Sequence, residues 1–431
     1  MDGRKSTLRM LYLIILLPLL FGCQSITKRA NHVEVVNKEG RFEMLVNGTP
    51  FYIQGVGVGK AFGSRGENYL RMAKEMGANT VRTWGVDQGN RRYLDEARRQ
   101  GLLVAAGIWV NYAEPKQGVS YIGENDYLRK KENEILDYVK RFKDHPAILM
   151  WNLGNEAFVF TADPKERVAL AQFLEKMVLK IRAIDPHHPV VYASANVFAL
   201  TYLKDYVPSL DIVGMNIYGS VISAEARWKG LEFKIPYVVT EFGPLGPWDL
   251  PKDRYGKVME PSDTEKASQY KNHWKLIRER KGNNVGGFVF HLGETTQETL
   301  TFWNLNDGRR KKASFITMQQ FFAGKTGLNQ APKIASFTGV PDKIRPGGLF
   351  KPAIKASDPE GEPLEHVFTA STVTQGVMKY FVNEEIPLQT RGGGQAGELT
   401  APLEPGVYRI YAFARDPSGN SAVTSRTMMV E

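Results

Sequence analysis

The chain has 431 residues, 42% of them hydrophobic and 24% charged, and a formal net charge of +10. That composition excludes a largely disordered polymer, and the length predicts two folded domains rather than one. Its basic residues are scattered. Arg309-Arg-Lys-Lys312 is the one tight run, read as a solvated loop, and with no nucleic-acid motif beside it nucleic acid is not an expected partner.

At the amino terminus Arg4, Lys5 and Arg9 precede an apolar stretch from Met10 to Phe21, a secretory signal pattern. The stretch is shorter than the roughly 20 apolar residues that span a bilayer. It ends in Leu20-Phe21-Gly22-Cys23, which resembles the lipobox of bacterial lipoproteins. The resemblance implies that residues 1–22 are removed and that Cys23 is lipidated, so the membrane is an expected partner through that anchor. Gln24, where Asp would retain the protein at the inner membrane, implies the outer membrane of a Gram-negative cell. Cys23 is the only cysteine, so it has no disulfide to make. Residues 23–32 read as a polar tether.

From Val33 to Ile53 the pattern alternates, with turn signals at Lys38-Glu-Gly40 and Asn47-Gly48, and predicts a β-hairpin. Short apolar runs then begin near Phe51, Thr80, Leu102, Ala147, Val190, Asp211, Pro236 and Val285. Helical patterns lie between them near 66–77, 89–100, 125–143, 164–184, 198–206, 222–230 and 261–280, with one more near 313–324. Asp163-Pro164 is a cap followed by proline in the first turn. Eight strand–helix units predict an α/β fold, a (β/α)₈ TIM barrel over residues 33–325. Beyond Gln330-Ala-Pro332 the helical pattern stops. Residues 333–431 carry turn clusters such as Asp358-Pro-Glu-Gly-Glu362 and read as an immunoglobulin-like β-sandwich.

Two of the apolar runs end in glutamate: Trp151-Asn-Leu-Gly-Asn-Glu156 on the fourth strand and Tyr237-Val-Val-Thr-Glu241 on the seventh. Barrel active sites lie at the carboxyl ends of the strands, so both carboxylates project into one mouth. A carboxylate pair there is what glycoside hydrolysis needs, one to protonate the leaving oxygen and one to trap the oxocarbenium-like centre.

Four stretches carry a family resemblance. Trp151-Asn-Leu-Gly-Asn-Glu156 resembles the Asn-Glu motif of clan A retaining glycosidases, and Val239-Thr-Glu-Phe-Gly243 their nucleophile strand. Gly77-Ala-Asn-Thr-Val-Arg-Thr-Trp84 is similar to their second strand, and Asp211-Ile-Val-Gly-Met-Asn-Ile-Tyr218 to the sixth strand of families 2 and 5. The resemblance implies Glu156 as acid/base and Glu241 as nucleophile. It also implies that Arg82 and Tyr218 sit beside Glu241, that Asn155 binds the sugar 2-hydroxyl, and that Asn216 belongs to the substrate site. With Glu241 ionised about 5 Å away, Glu156 should hold its proton more tightly.

Trp84, Trp109 and Trp303 fall at or after strand ends and are read either as sugar-stacking platforms or as packing. His291, at the end of the eighth strand, is either a sugar contact or a structural histidine. Glu294 and Glu298 are the rival carboxylates, and the loop from Gly243 to Met259, with Trp248, is a candidate cleft wall. Gly55, Gly57, Gly59 and Gly63 miss the phosphate-loop spacing, and with no H-E-x-x-H or cysteine pair neither metal nor cofactor is expected. The expected activity is a retaining β-glycoside hydrolase acting on a β-linked glycan, β-glucan first. A transglycosylase using the same residues and a non-catalytic glycan-binding or scaffold lipoprotein are the alternatives.

Overall fold

The computed structural model describes residues 30–375, 381–388, 390–391 and 397–431. The leader, Cys23 and the tether up to residue 29 lie outside the described residues. Among the described residues, no helix is long and apolar enough to cross a membrane.

The first elements are β1 (Val33–Lys38), β2 (Arg41–Val46) and β3 (Thr49–Phe51), an antiparallel sheet with one strand more than the predicted hairpin. Both connections are two-residue turns with consecutive positive φ, Glu39 and Gly40 at 55° and 82°, Asn47 and Gly48 at 53° and 76°. Such turns match the twist of the strands they join. Val33 and Met44 of this sheet pack against Ile53, Met150, Val238 and Phe288 inside the barrel. The sheet is tied to the loops that lead into barrel strands, Val33 N donating to His187 O at 2.8 Å and Phe42 N to Gly282 O at 2.6 Å. It therefore plugs the amino end of the barrel and leaves the opposite end as the mouth.

Eight parallel strands close the barrel: β4 (Ile53–Gly57), β5 (Thr80–Arg82), β6 (Leu103–Ile108), β7 (Ile148–Asn155), β8 (Val190–Ser194), β9 (Ile212–Asn216), β10 (Tyr237–Phe242) and β11 (Asn284–Val289). Parallel strands are covered on both faces and so read as continuous apolar runs. The surrounding helices are α1 (Tyr69–Met76), α2 (Arg91–Arg99), α3 (Asp126–Phe142), the single turn α4 (Ala157–Phe160), α5 (Pro164–Ile184), α6 (Val197–Tyr206), α7 (Ala224–Gly230), α8 (Asp263–Glu279) and α9 (Ala313–Phe322). Side-chain oxygens satisfy the free N–H groups of their first turns. Asn68, Asn90, Asn125, Asp163 and Asn196 cap five of them, and Ser262 with Glu265 forms a capping box on α8.

Residues from Lys333 onward form a β-rich C-terminal region. Its main sheet joins Lys343–Ile344, Ser421–Val430, Gly406–Arg415, Glu365–Thr372 and Glu385–Ile386. Where it meets the barrel lies a buried ionic cluster. Lys266 Nζ is 2.7 Å from Glu260 Oε1 and 3.3 Å from Asp263 Oδ1, and Lys312 Nζ is 2.9 Å from that same Asp263 oxygen. Val423 N of the C-terminal sheet donates to Asp263 Oδ2 at 2.9 Å. Lys312 is only 1% exposed, which corrects the reading of Arg309–Lys312 as a solvated loop. Its charge is carried inside by Asp263.

Burial pushes the Glu260 carboxyl upward, but Lys266 and Lys312 outweigh it and hold it down at about 2. A depressed pKa contributes stability that is present above the unfolded value of about 4.3 and is lost as pH falls towards 2. Removing one partner of a buried pair strands the other charge. Glu260→Gln should therefore lower the unfolding free energy by roughly 3 kcal/mol at pH 7. Urea denaturation checks this, and the gap from wild type should narrow as the pH is lowered below 4.

Candidate active site

The strand β7 leaves its regular course at Gly154, whose φ of +90° admits glycine and where a Cβ would lie 2.7 Å from the Tyr192 ring. Two residues later Glu156 takes a left-handed conformation, φ 55° and ψ 14°, and starts α4. A non-glycine residue in that region is strained, and such strain collects at functional sites. The effect is to aim Glu156 into the barrel mouth rather than along the strand.

Glu241, on β10, is held by three donors. Arg82 Nη1 reaches Oε1 at 2.6 Å, Trp84 Nε1 reaches the same oxygen at 2.8 Å, and the Tyr218 hydroxyl donates to Oε2 at 2.7 Å. Burial, and then the charge of Glu241, push the Tyr218 hydroxyl well above its ordinary pKa, which keeps it a donor. Arg82 is fully buried and also donates to Thr240 O at 3.0 Å and, through Nη2, to Asn155 Oδ1 at 2.7 Å.

The two carboxylates differ in surroundings. Asn216 Nδ2 donates to Glu156 Oε1 at 2.6 Å and to Asn155 Oδ1 at 3.1 Å, while its own Oδ1 accepts from Thr240 Oγ1 at 2.7 Å. Burial, followed by the Glu241 charge, raises the Glu156 carboxyl to about 7, against smaller opposing effects of Asn216 and Arg82. One carboxyl thus retains a proton near neutrality beside a carboxylate fixed in place, the division that acid and nucleophile roles require.

Both carboxylates open onto a cleft of about 970 Å³. Trp84, Trp109, Asn155, Asn216, Tyr218, His291 and Trp303 all line it, and Arg82 lies beneath, bonded to Glu241 and Asn155. Several have other duties than expected. The Trp84 indole N–H goes to Glu241, so this ring braces the carboxylate. Asn216 has its whole amide committed and orients Glu156 rather than waiting for sugar. Both bonds to Asn155 fall on Oδ1, leaving Nδ2 for a ligand. Trp303 is 3% exposed and packs against Tyr218 with ring centroids 4.9 Å apart, a wall rather than an open platform. Trp109, like Trp84, is half-buried and so more open than Trp303. Burial lowers His291 to about 4, against a hydrogen bond with Asn304, so its imidazole is neutral. Its Nδ1 and the Trp303 Nε1 have no hydrogen-bond partner among the described residues.

Glu294 turns away, accepting from Ser64 N and Oγ, and neither it nor Glu298 lines the cleft. Trp248, on the loop predicted as a wall, is 57% exposed at the rim. Sequence reasoning missed Tyr112, Phe160, Asn196 and Gln297, which also line the cleft. Tyr112 lies shortly after β6 and Asn196 shortly after β8, so position after a strand end was the available signal.

Fold and site together define a (β/α)₈ barrel with a carboxylate pair at its mouth. More particularly, residues 35–243, just under half of the chain, match the family model described as Glycosyl hydrolases family 2, TIM barrel domain. The β-glucuronidase of Sus scrofa is 27% identical over 277 residues, covering 58% of this chain and 39% of that protein. The chain thus spans about two fifths of the length of the first curated relatives it matches. Among solved structures, a putative β-galactosidase from Bacteroides fragilis has a TM-score of 0.52 at 15% identity, covering 93% of this chain and 57% of that one. A GH2 β-galacturonidase from Eisenbergiella tayi bound to galacturonate has a TM-score of 0.51 at 17% identity, covering 69% and 55%. At those identities the structures speak for the fold.

The elevated Glu156 value should appear directly as a carboxyl ¹³C titration near pH 7. Glu241→Gln removes the neighbouring charge and should lower that midpoint, whereas Asn216→Ala should raise it. A Glu156 midpoint that stays put in Glu241→Gln would contradict the coupling.

Proposed function

We propose that the protein is a retaining β-glycosidase that works by double displacement. The observation that carries this is the asymmetric carboxylate pair, Glu156 at about 7 facing the same cleft as the triply held Glu241. In the first step a Glu241 oxygen bonds to the anomeric carbon as the bond to the leaving oxygen breaks, and Glu156 gives its proton to that oxygen. The glycosyl ester removes the Glu241 charge, which lets Glu156 stay deprotonated and act as base. Glu156 then takes a proton from water, the water oxygen bonds to the anomeric carbon, and the ester bond breaks to restore Glu241. Asn155 Nδ2 is the donor we assign to the 2-hydroxyl.

For the sugar, we favour a neutral β-linked glycan, with β-glucan the first candidate. Among the described residues, no lysine or arginine lines the cleft, Arg82 is committed beneath it, and His291 is neutral. Glu241 and Asp249 put carboxylates there instead. A uronate carboxylate would meet like charges at low dielectric with no free cation. Trp109, Tyr112, Phe160 and Trp248 offer apolar faces suited to sugar rings. The second reading, a β-glucuronide, is supported by the recurrence of β-glucuronidases among the relatives.

We also propose an exported lipoprotein anchored through Cys23, with the barrel over residues 33–325 and a separate immunoglobulin-like domain over 333–431. The leader pattern and the lipobox-like stretch support the anchor, and the change from α/β to β-rich structure supports the division.

A panel of 4-nitrophenyl β-glycosides, neutral and uronic, together with β-glucan oligosaccharides, tests activity and sugar. Turnover should favour a neutral member, with retained β configuration in the first product by NMR, and Glu241→Gln should lose on the order of 10⁴-fold or more. Preferred cleavage of the glucuronide would reverse the sugar assignment, and an inverted anomer would reject double displacement. For the anchor, labelling with a palmitate analogue should mark the wild type and not Cys23→Ala.

A further inference from the structure

We propose that the C-terminal region completes the active-site cleft, with Tyr411 and Asn383 as positioning residues for the wall that carries Trp303. This inference rests on the glycosidase reading for its effect on turnover, but its structural part stands apart from it.

The wall is the segment from His291 to Leu305, which follows β11. Trp303 is fixed to the end of that strand by His291 N donating to Trp303 O at 3.1 Å and by Leu305 N donating back to His291 O at 3.0 Å. The outer part of the segment folds over without strand or helix, and within it Asn304 ties Thr295 and Leu300. Thr299 and Thr301 donate to Glu260 at its base, and Ser64 donates to Glu294 near its start. Thr296 and Leu300, at the crest, are held from the C-terminal region. Leu300 N donates to the Tyr411 hydroxyl at 3.0 Å, which lies 3.2 Å from Ser371 Oγ. Ser371 Oγ donates to Asn383 Oδ1 at 3.3 Å, and Asn383 N and Nδ2 both donate to Thr296 O at 3.1 Å.

With the Tyr411 proton on Ser371, each hydroxyl in this relay donates once and accepts once. The chain of donors leaves the wall at Leu300, crosses two C-terminal strands and returns to the wall at Thr296. Tyr411, Ser371 and Asn383 are all buried. A buried network of this kind is rigid when every member is satisfied and costly when one is removed. Thr296 stands between Thr295 and Gln297, both of which line the cleft, so the clasp grips the wall at the point where it meets substrate space. Leu300 also packs against the Tyr411, Phe413 and Val423 cluster, which gives the clasp an apolar seat.

The test uses the full chain carrying 5-fluorotryptophan, with the Trp303 resonance assigned by Trp303→Phe. In Tyr411→Phe, which keeps the ring and removes the hydroxyl, and in Asn383→Ala, the Trp303 fluorine signal should shift or broaden. The Trp151 signal, on the far side of β7, should not. The same variants should raise KM for an aryl β-glycoside that the wild type turns over by about tenfold, with kcat within about twofold. A Trp303 signal unchanged in both variants overturns the proposal, as does an altered signal with KM unaltered. Loss of melting temperature alone, with both readouts as in wild type, assigns the clasp to stability and likewise overturns it. If the wild type turns over none of the aryl glycosides, the glycosidase reading falls while the fluorine result still decides whether the clasp shapes the cleft.

Discussion

The buried guanidinium of Arg82 is the constraint on which the site depends. A charge with no exposed surface persists only when it is paired and hydrogen-bonded. Arg82 meets that condition by reaching across the barrel from β5 to Glu241 and Thr240 on β10 and to Asn155 on β7. Those contacts fix the separation of the two strands that carry the carboxylates. Because Asn155 is turned by Arg82, its Oδ1 can also accept from Asn216, which then has a set orientation from which to reach Glu156. A single cation thus sets the geometry of both acids, one directly and one through two amides.

The same arrangement separates the two carboxyls electrostatically. Glu241 receives a guanidinium, an indole N–H and a phenol O–H, while Glu156 receives one amide. The Glu241 charge then adds to burial in raising Glu156 to about 7. Were Arg82 nearer Glu156, its positive charge would lower that carboxyl and take away its task as proton donor. The order of the strands is therefore a chemical matter as well as a topological one.

Most of this was legible in the sequence because a parallel barrel writes itself plainly. Its strands are continuous apolar runs, six of its helices start at Asn, Asp or Ser caps, and its chemistry sits where an apolar run stops. Glu156 and Glu241 could be placed in the mouth on those grounds, and Arg82 through the family resemblance of its strand. What could not be read was the assignment of partners across the barrel. Nothing local to Trp84 says that its indole N–H is taken by a residue 157 positions away. Nothing around Asn216 says that its amide is used up by Thr240 and Glu156. Lys312 failed for a similar reason: a run of four cations reads as solvated unless the acidic partner, 49 positions earlier in α8, is known to lie against it.

The C-terminal strands extend the same logic outward. Tyr218 is packed by Trp303, and Trp303 hangs from a segment whose two free points are pinned 87 and 111 positions away along the chain. At the base of that segment Thr299 and Thr301 donate to Glu260, which is itself held by Lys266 inside the ionic cluster. The wall is therefore gripped twice, by neutral hydroxyls at its crest and by buried charge at its base. Apolar contact alone is non-directional and would let the segment slide over the sheet. Hydrogen bonds with fixed donor order do not permit that, and so the polar clasp, rather than the larger apolar seat beside it, is what gives the cleft a single shape.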